Sequence, residues 1–82
     1  MKIQLVDGQF DVADGLTLIS RLLEVKIRFH EDKINSLSAE EDIKMRENKI
    51  QKLQKQLEEL RSKLDGKTSQ LQLKAEINVE LI

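Results

Sequence analysis

Ile43-Lys44-Met45-Arg46-Glu47-Asn48-Lys49-Ile50-Gln51-Lys52-Leu53-Gln54-Lys55-Gln56-Leu57-Glu58-Glu59-Leu60-Arg61-Ser62-Lys63-Leu64 is the stretch on which the fold turns. Ile43, Ile50, Leu57 and Leu64 recur every seven residues, and Leu53 and Leu60 fill the intermediate positions. A heptad of this kind puts all six side chains on one seam of a helix that faces one partner helix. Arg46 interrupts the seam at a core-type position, so a polar layer is expected there.

Downstream, Asp65-Gly66 closes the helix, with Gly66 as the expected left-handed cap, and Lys67-Thr68-Ser69 reads as a connecting loop. The period then changes. Leu71, Leu73, Ala75, Ile77, Val79 and Leu81 alternate strictly with polar residues, which predicts a half-buried strand over about 70–82.

Upstream, Ser38-Ala39-Glu40-Glu41 matches a capping box and places the start of the helix, so that it spans about 39–65. The preceding segment is also helical. Val12, Leu16, Ile19, Leu23, Ile27, His30, Ile34 and Leu37 recur at spacings of three and four, predicting a helix over about 12–37 with Asp11 as its N-cap. Few residues separate the two runs, and short connections make antiparallel neighbours, so the helices form a hairpin.

Leu18, Leu22, Val25 and Phe29 form a second apolar stripe on the first helix, rotated away from the first. One partner helix covers one stripe, so something other than the second helix has to cover Leu18, Val25 and Phe29. Before that helix, Met1, Ile3 and Leu5 alternate with Lys2 and Gln4 up to Asp7-Gly8, which reads as a strand over about 1–7 stopped by a turn. Both strands attach at the open end of the hairpin, so the expected fold is mainly α: a coiled-coil-like β-α-α-β protomer, 1–82, with antiparallel end strands.

The longer C-terminal strand would leave half of its backbone groups unpaired, and a lone two-stranded ribbon is marginal. A homodimer is expected on that ground, with Leu18, Val25, Phe29, Leu71, Leu73, Ile77, Val79 and Leu81 as interface candidates. An 82-residue chain without Cys has no disulfide to supplement a small core, which points the same way.

Chemistry is sparse. His30 is the sole His, and counting outward from the turn sets it opposite Arg46 and Glu47, so these three are read as a polar layer fixing hairpin register. A single His without Cys lacks the ligands of a typical zinc site. Glu40, Glu41 and Asp42, like Glu58 and Glu59, are balanced by Lys44, Arg46, Arg61 and Lys63 at helical spacings and read as a solvated face. No catalytic, cofactor or metal site follows, and an enzyme is not expected.

Lys44, Arg46, Lys49, Lys52 and Lys55 make the middle of the second helix basic. That suggests phosphate contact, and with it a small antitoxin-like or repressor-like regulator. Against it stand 14 basic and 15 acidic residues, well mixed, and only two aromatics, so nucleic acid is the less favoured partner. Neither a secretory signal nor a membrane-spanning run is present, and a cytoplasmic protein is expected.

Lys26-Ile27-Arg28-Phe29-His30, the opening Ile3-Gln4-Leu5-Val6-Asp7-Gly8-Gln9-Phe10 and the closing Ala75-Glu76-Ile77-Asn78-Val79 together resemble a group of short uncharacterised proteins from Bacteroidetes. The resemblance implies no activity and carries no site residue with it. The expected function is a non-enzymatic protein-protein interaction or structural module, acting as a homodimer and engaging an unidentified protein partner.

Overall fold

The computed structural model describes residues 1–36 and 39–82. The order is β1 (Lys2–Asp11), α1 (Val12–Ser36), α2 (Glu40–Leu64) and β2 (Gln70–Asn78), with β1 and β2 paired antiparallel in a two-stranded sheet. The helices form the expected hairpin.

The burial of α2 follows its heptad residue by residue. Leu53 and Leu57 are buried, and Ile43, Arg46, Ile50, Leu60 and Leu64 are half-buried, while every other residue of the helix is exposed. Gly66 closes α2 in the left-handed region at φ 71°, and the Lys67 amide donates to the Leu64 carbonyl at 3.1 Å. At the other end Ala39 is the N-cap residue, extended and without a side-chain cap, and the Ile43 amide donates to its carbonyl at 3.2 Å. The capping box expected at Ser38 lies outside the described residues.

In α1 the seam differs by one position from the expected stripe. Leu16, Ser20, Leu23, Ile27, His30 and Ile34 alternate at spacings of four and three, and all are buried or half-buried. Ser20 thus takes the place assigned to Ile19, which instead lines a small cavity against the ribbon. Asp11 caps the helix as expected: its Oδ1 accepts from the Asp14 amide at 2.7 Å.

Both strand lengths depart from expectation. β1 does not stop at Asp7-Gly8 but runs on to Asp11, because Asp7 to Asp11 each find a partner between Lys74 and Gln70 and a turn would leave those backbone groups unpaired. The strand passes directly into α1. β2 ends at Asn78, well short of residue 82, where its pairing with Lys2 ends. Reciprocal bonds between Met1 and Val79, at 3.0 and 2.7 Å, finish the ladder. The two strands are thus nearly equal in length, and the long unpaired half of the C-terminal strand on which a homodimer was expected does not exist.

A bulge at Leu5 shifts the register between Gln4 and Val6. With one extra residue in β1, Ile3 opposes Ile77 and Val6 opposes Ala75, so the buried residue is Val6 and not Leu5, which is exposed. The simple alternation Met1, Ile3, Leu5 holds only below the bulge.

The ribbon lies against the first half of α1. Val6, Leu18, Ile19, Leu22, Leu73 and Ala75 surround a cavity of about 180 Å³ between them. Gly15 makes the closest approach: a Cβ there would stand 2.7 Å from Cδ1 of Leu71. A residue that weakens the helix in isolation is therefore what lets the strand pack onto it.

The resulting body is thin. Its extents are 46 × 33 × 13 Å and its radius of gyration is 15.5 Å, against about 12 Å for a compact chain of this length. Among the described residues only Val6, Ile27, Leu53 and Leu57 are buried large apolar side chains.

Candidate functional site

Among the described residues no His, Cys, Asp and Glu side chains gather into a group that could hold a metal ion. Among the described residues no helix is long and apolar enough to cross a membrane. The features that stand out are one polar layer inside the hairpin and two apolar areas outside it.

The polar layer joins the helices at His30 and Arg46. Arg46 Nη1 donates to His30 Nδ1 at 2.8 Å, which requires a neutral imidazole with its proton on Nε2. Burial disfavours the charged ring, and the nearby Arg46, Lys49 and Lys26 add to the effect, so the pKa of His30 lies below 6.5. Glu47 does not belong to this layer. It is exposed on the turn of α2 that points away, because only Arg46 of the two occupies a seam position. Counting inward from the His30–Arg46 bond aligns Ile27 with Ile50, Leu23 with Leu53, Ser20 with Leu57 and Leu16 with Leu60, so one polar contact sets the phase of the whole seam.

The first apolar area is the outer face of α1. Val25 and Phe29 are 69% and 53% exposed, and with Leu22 they continue the stripe on which Leu18 sits. The ribbon covers Leu18 and reaches Leu22, and it leaves the rest bare. Arg21, Glu24, Val25, Arg28, Phe29 and Asp32 line a shallow groove of about 480 Å³ on this face. Two cations lie over the ring of Phe29, with Lys33 Nζ at 5.7 Å and Arg46 Cζ at 5.8 Å from its centroid.

The second area is the free end of the ribbon. Met1, Ile3, Leu5, Ile77, Val79, Leu81 and Ile82 are all exposed there. The eight residues expected in an interface therefore divide. Leu18, Leu71 and Leu73 are half-buried within the protomer, where the ribbon meets α1, whereas Val25, Phe29, Ile77, Val79 and Leu81 remain open. Sequence reasoning left Met1, Ile3, Leu5, Leu22, Met45 and Ile82 out of the exposed apolar set; Leu5 in particular would have been sheltered in an unbulged strand.

On the opposite edge of the hairpin, Lys26, His30, Lys49, Lys52, Leu53 and Gln56 line a groove of about 330 Å³ that holds no carboxylate. Lys44, from the same basic stretch of sequence, is instead directed to Glu40 in an exposed i,i+4 pair at 3.7 Å. No protein-family model matches the chain, and neither does any curated protein or any solved structure.

Proposed function

We propose that the protein is a non-enzymatic interaction module of the cytoplasm that acts as a homodimer. The observation that carries this reading is its surface. The protomer exposes 6788 Å², about a third more than the roughly 5,000 Å² of a compact monomer of 9.5 kDa. Two apolar areas contribute to it: the Val25–Phe29 face of α1 and the free end of the ribbon. A standard protein interface buries about 800 Å² on each partner, so one association of that size would remove roughly half of the excess.

Light scattering coupled to size-exclusion chromatography tests it. The intact chain should elute at twice 9.5 kDa. A mass of one protomer at every concentration tried, with no self-association by sedimentation, would overturn the reading.

The groove of Lys26, Lys49 and Lys52 favours a second reading, a small regulator that contacts nucleic-acid phosphates. Binding of a labelled duplex should then weaken steeply as salt rises from about 50 to 200 mM, with a slope that reports the number of phosphates neutralised. No retention at low salt removes this alternative.

A further inference from the structure

Resting on the homodimer reading, we infer that the second copy docks on the outer face of α1, with the two α1 helices antiparallel about a two-fold axis between residues 26 and 27. Val25 and Phe29 form the apolar centre of that face, and both are more than half exposed. The charges around them are what select the occupant. In chain order the groove presents Arg21, Glu24, Arg28 and Asp32, alternating in sign.

An antiparallel two-fold at that point sets residue n level with residue 53 minus n of the partner. Arg21 then meets the carboxylate at position 32 of the other copy, and Glu24 meets the guanidinium at position 28. Val25 falls level with position 28 and packs beside position 29. Each of these pairings is within one residue of exact level, about 1.5 Å along the axis. All four charges lie on the same side of the Val25–Phe29 stripe, and only an antiparallel two-fold brings the same flank of both helices together; a parallel one would put the charged flanks on opposite sides of the interface, where none of these pairs forms. The face is thus complementary to itself in the antiparallel orientation, as an isologous two-fold interface requires.

Two further observations agree. Glu24 and Arg28, and Arg28 and Asp32, have the i,i+4 spacing that ordinarily pairs charges along one helix, yet no ion pair joins any of these four side chains among the described residues. They are available to a partner. The ribbon, for its part, covers α1 only as far as Leu22, so the segment from Arg21 to Asp32 is left open on the stripe that needs a cover.

The experiment is a charge exchange. Glu24→Arg alone sets two arginines against each other on both sides of the axis, and Arg28→Glu alone does the same with two glutamates. Each variant should dimerise at least about tenfold more weakly than the native chain. Mixing the two variants restores both pairings, Arg against Glu, and should give a heterodimer close to native affinity. Loss of an intrahelical contact or partial unfolding cannot be reversed by mixing, so that arm separates the interface from a merely structural effect. Analytical ultracentrifugation or native mass spectrometry reads all three samples. If the native chain dimerises and both variants do so equally well alone, this pairing is overturned while the homodimer reading stands. The pairing is likewise overturned if both variants weaken and mixing fails to restore the dimer. A native chain that is monomeric throughout overturns both.

Discussion

Arg46 Nη1 lies 2.8 Å from Nδ1 of His30, sixteen residues away in sequence, and this bond ties the two helices together inside a seam that is otherwise aliphatic except at Ser20. Arginine is always a donor, so the contact exists only while His30 is neutral.

A pH dependence follows, and its sign is fixed. The folded pKa of His30 is lowered by burial and by Arg46, Lys49 and Lys26, so on acidification the unfolded chain takes up a proton near pH 6.5 before the folded chain does. Stability should be full above about pH 6.5 and should fall as the pH drops from there through the folded pKa. Thermal melts at pH 7.5 and 5.5 measure it. His30→Gln should flatten the change between the two, and an unaltered pH response in that variant would refute the assignment.

Gly15 should tolerate Ala and reject Val. The close atom is the methyl end of Leu71, which can swing aside for a single Cβ, and Ala recovers about 1 kcal/mol of helix propensity. The two effects oppose each other, so Gly15→Ala should change stability by less than about 1 kcal/mol. A branched side chain cannot be cleared in the same way, and Gly15→Val should cost about 1–3 kcal/mol. Urea unfolding gives both values, and combining Gly15→Val with Leu71→Ala should recover part of the loss if the clash is the cause.

Ser20→Leu should destabilise even though it adds apolar surface to an apolar stripe. Ser20 is 8% exposed at a seam position aligned with Leu57, and a larger side chain overfills that layer by about 1–3 kcal/mol. By contrast Leu57→Ala, at a site 8% exposed, should lose about 2–4 kcal/mol, and Lys55→Ala on the exposed side less than about 0.5. Denaturation midpoints of the three variants rank them. A stabilised Ser20→Leu protein would mean that the helices do not pack closely at this layer.

Removing Glu80 to Ile82 should leave the melting temperature within a few degrees of native, since the ladder is complete at Val79. Leu81 and Ile82 are fully exposed and bury nothing in the protomer. Circular dichroism before and after the deletion decides, and a large drop would show that these residues pack against a second copy.

How far the fold could be read ahead depended on which physical signal each element carries. In α2 the heptad names every residue that is sheltered, Arg46 included, because a helix packed on one partner repeats its burial with the sequence period. In α1 the same period was present but obscured. Scoring by carbon content chose Ile19, and only phase continuity backward from His30 through Ile27 and Leu23 would have chosen Ser20. Asp7-Gly8 has the composition of a turn, yet the pairing of Gly8 with Leu73 overrides it, and that pairing is a long-range event no local window contains. The bulge at Leu5 is of the same kind, since it exists only relative to the partner strand. At the candidate surface, Val25 and Phe29 were legible as a stripe that α2 could not cover. That the ribbon would stop at Leu22 depends on where a strand crosses a helix, which periodicity does not encode.

Met1 and Val79 are hydrogen-bonded to each other, although nearly the whole chain lies between them. Every rung of the ribbon closes a loop that contains both helices, so the ribbon gains nothing until the hairpin has brought its ends together. The hairpin is accordingly expected to form before the ribbon, and the ribbon to open first. With the ends already side by side, the molecule is close to a ring: a short linker could join them and new termini could be cut at Lys67–Ser69, outside the helices and strands. Such a circular permutant would turn the ribbon into a local hairpin and reverse the order of assembly.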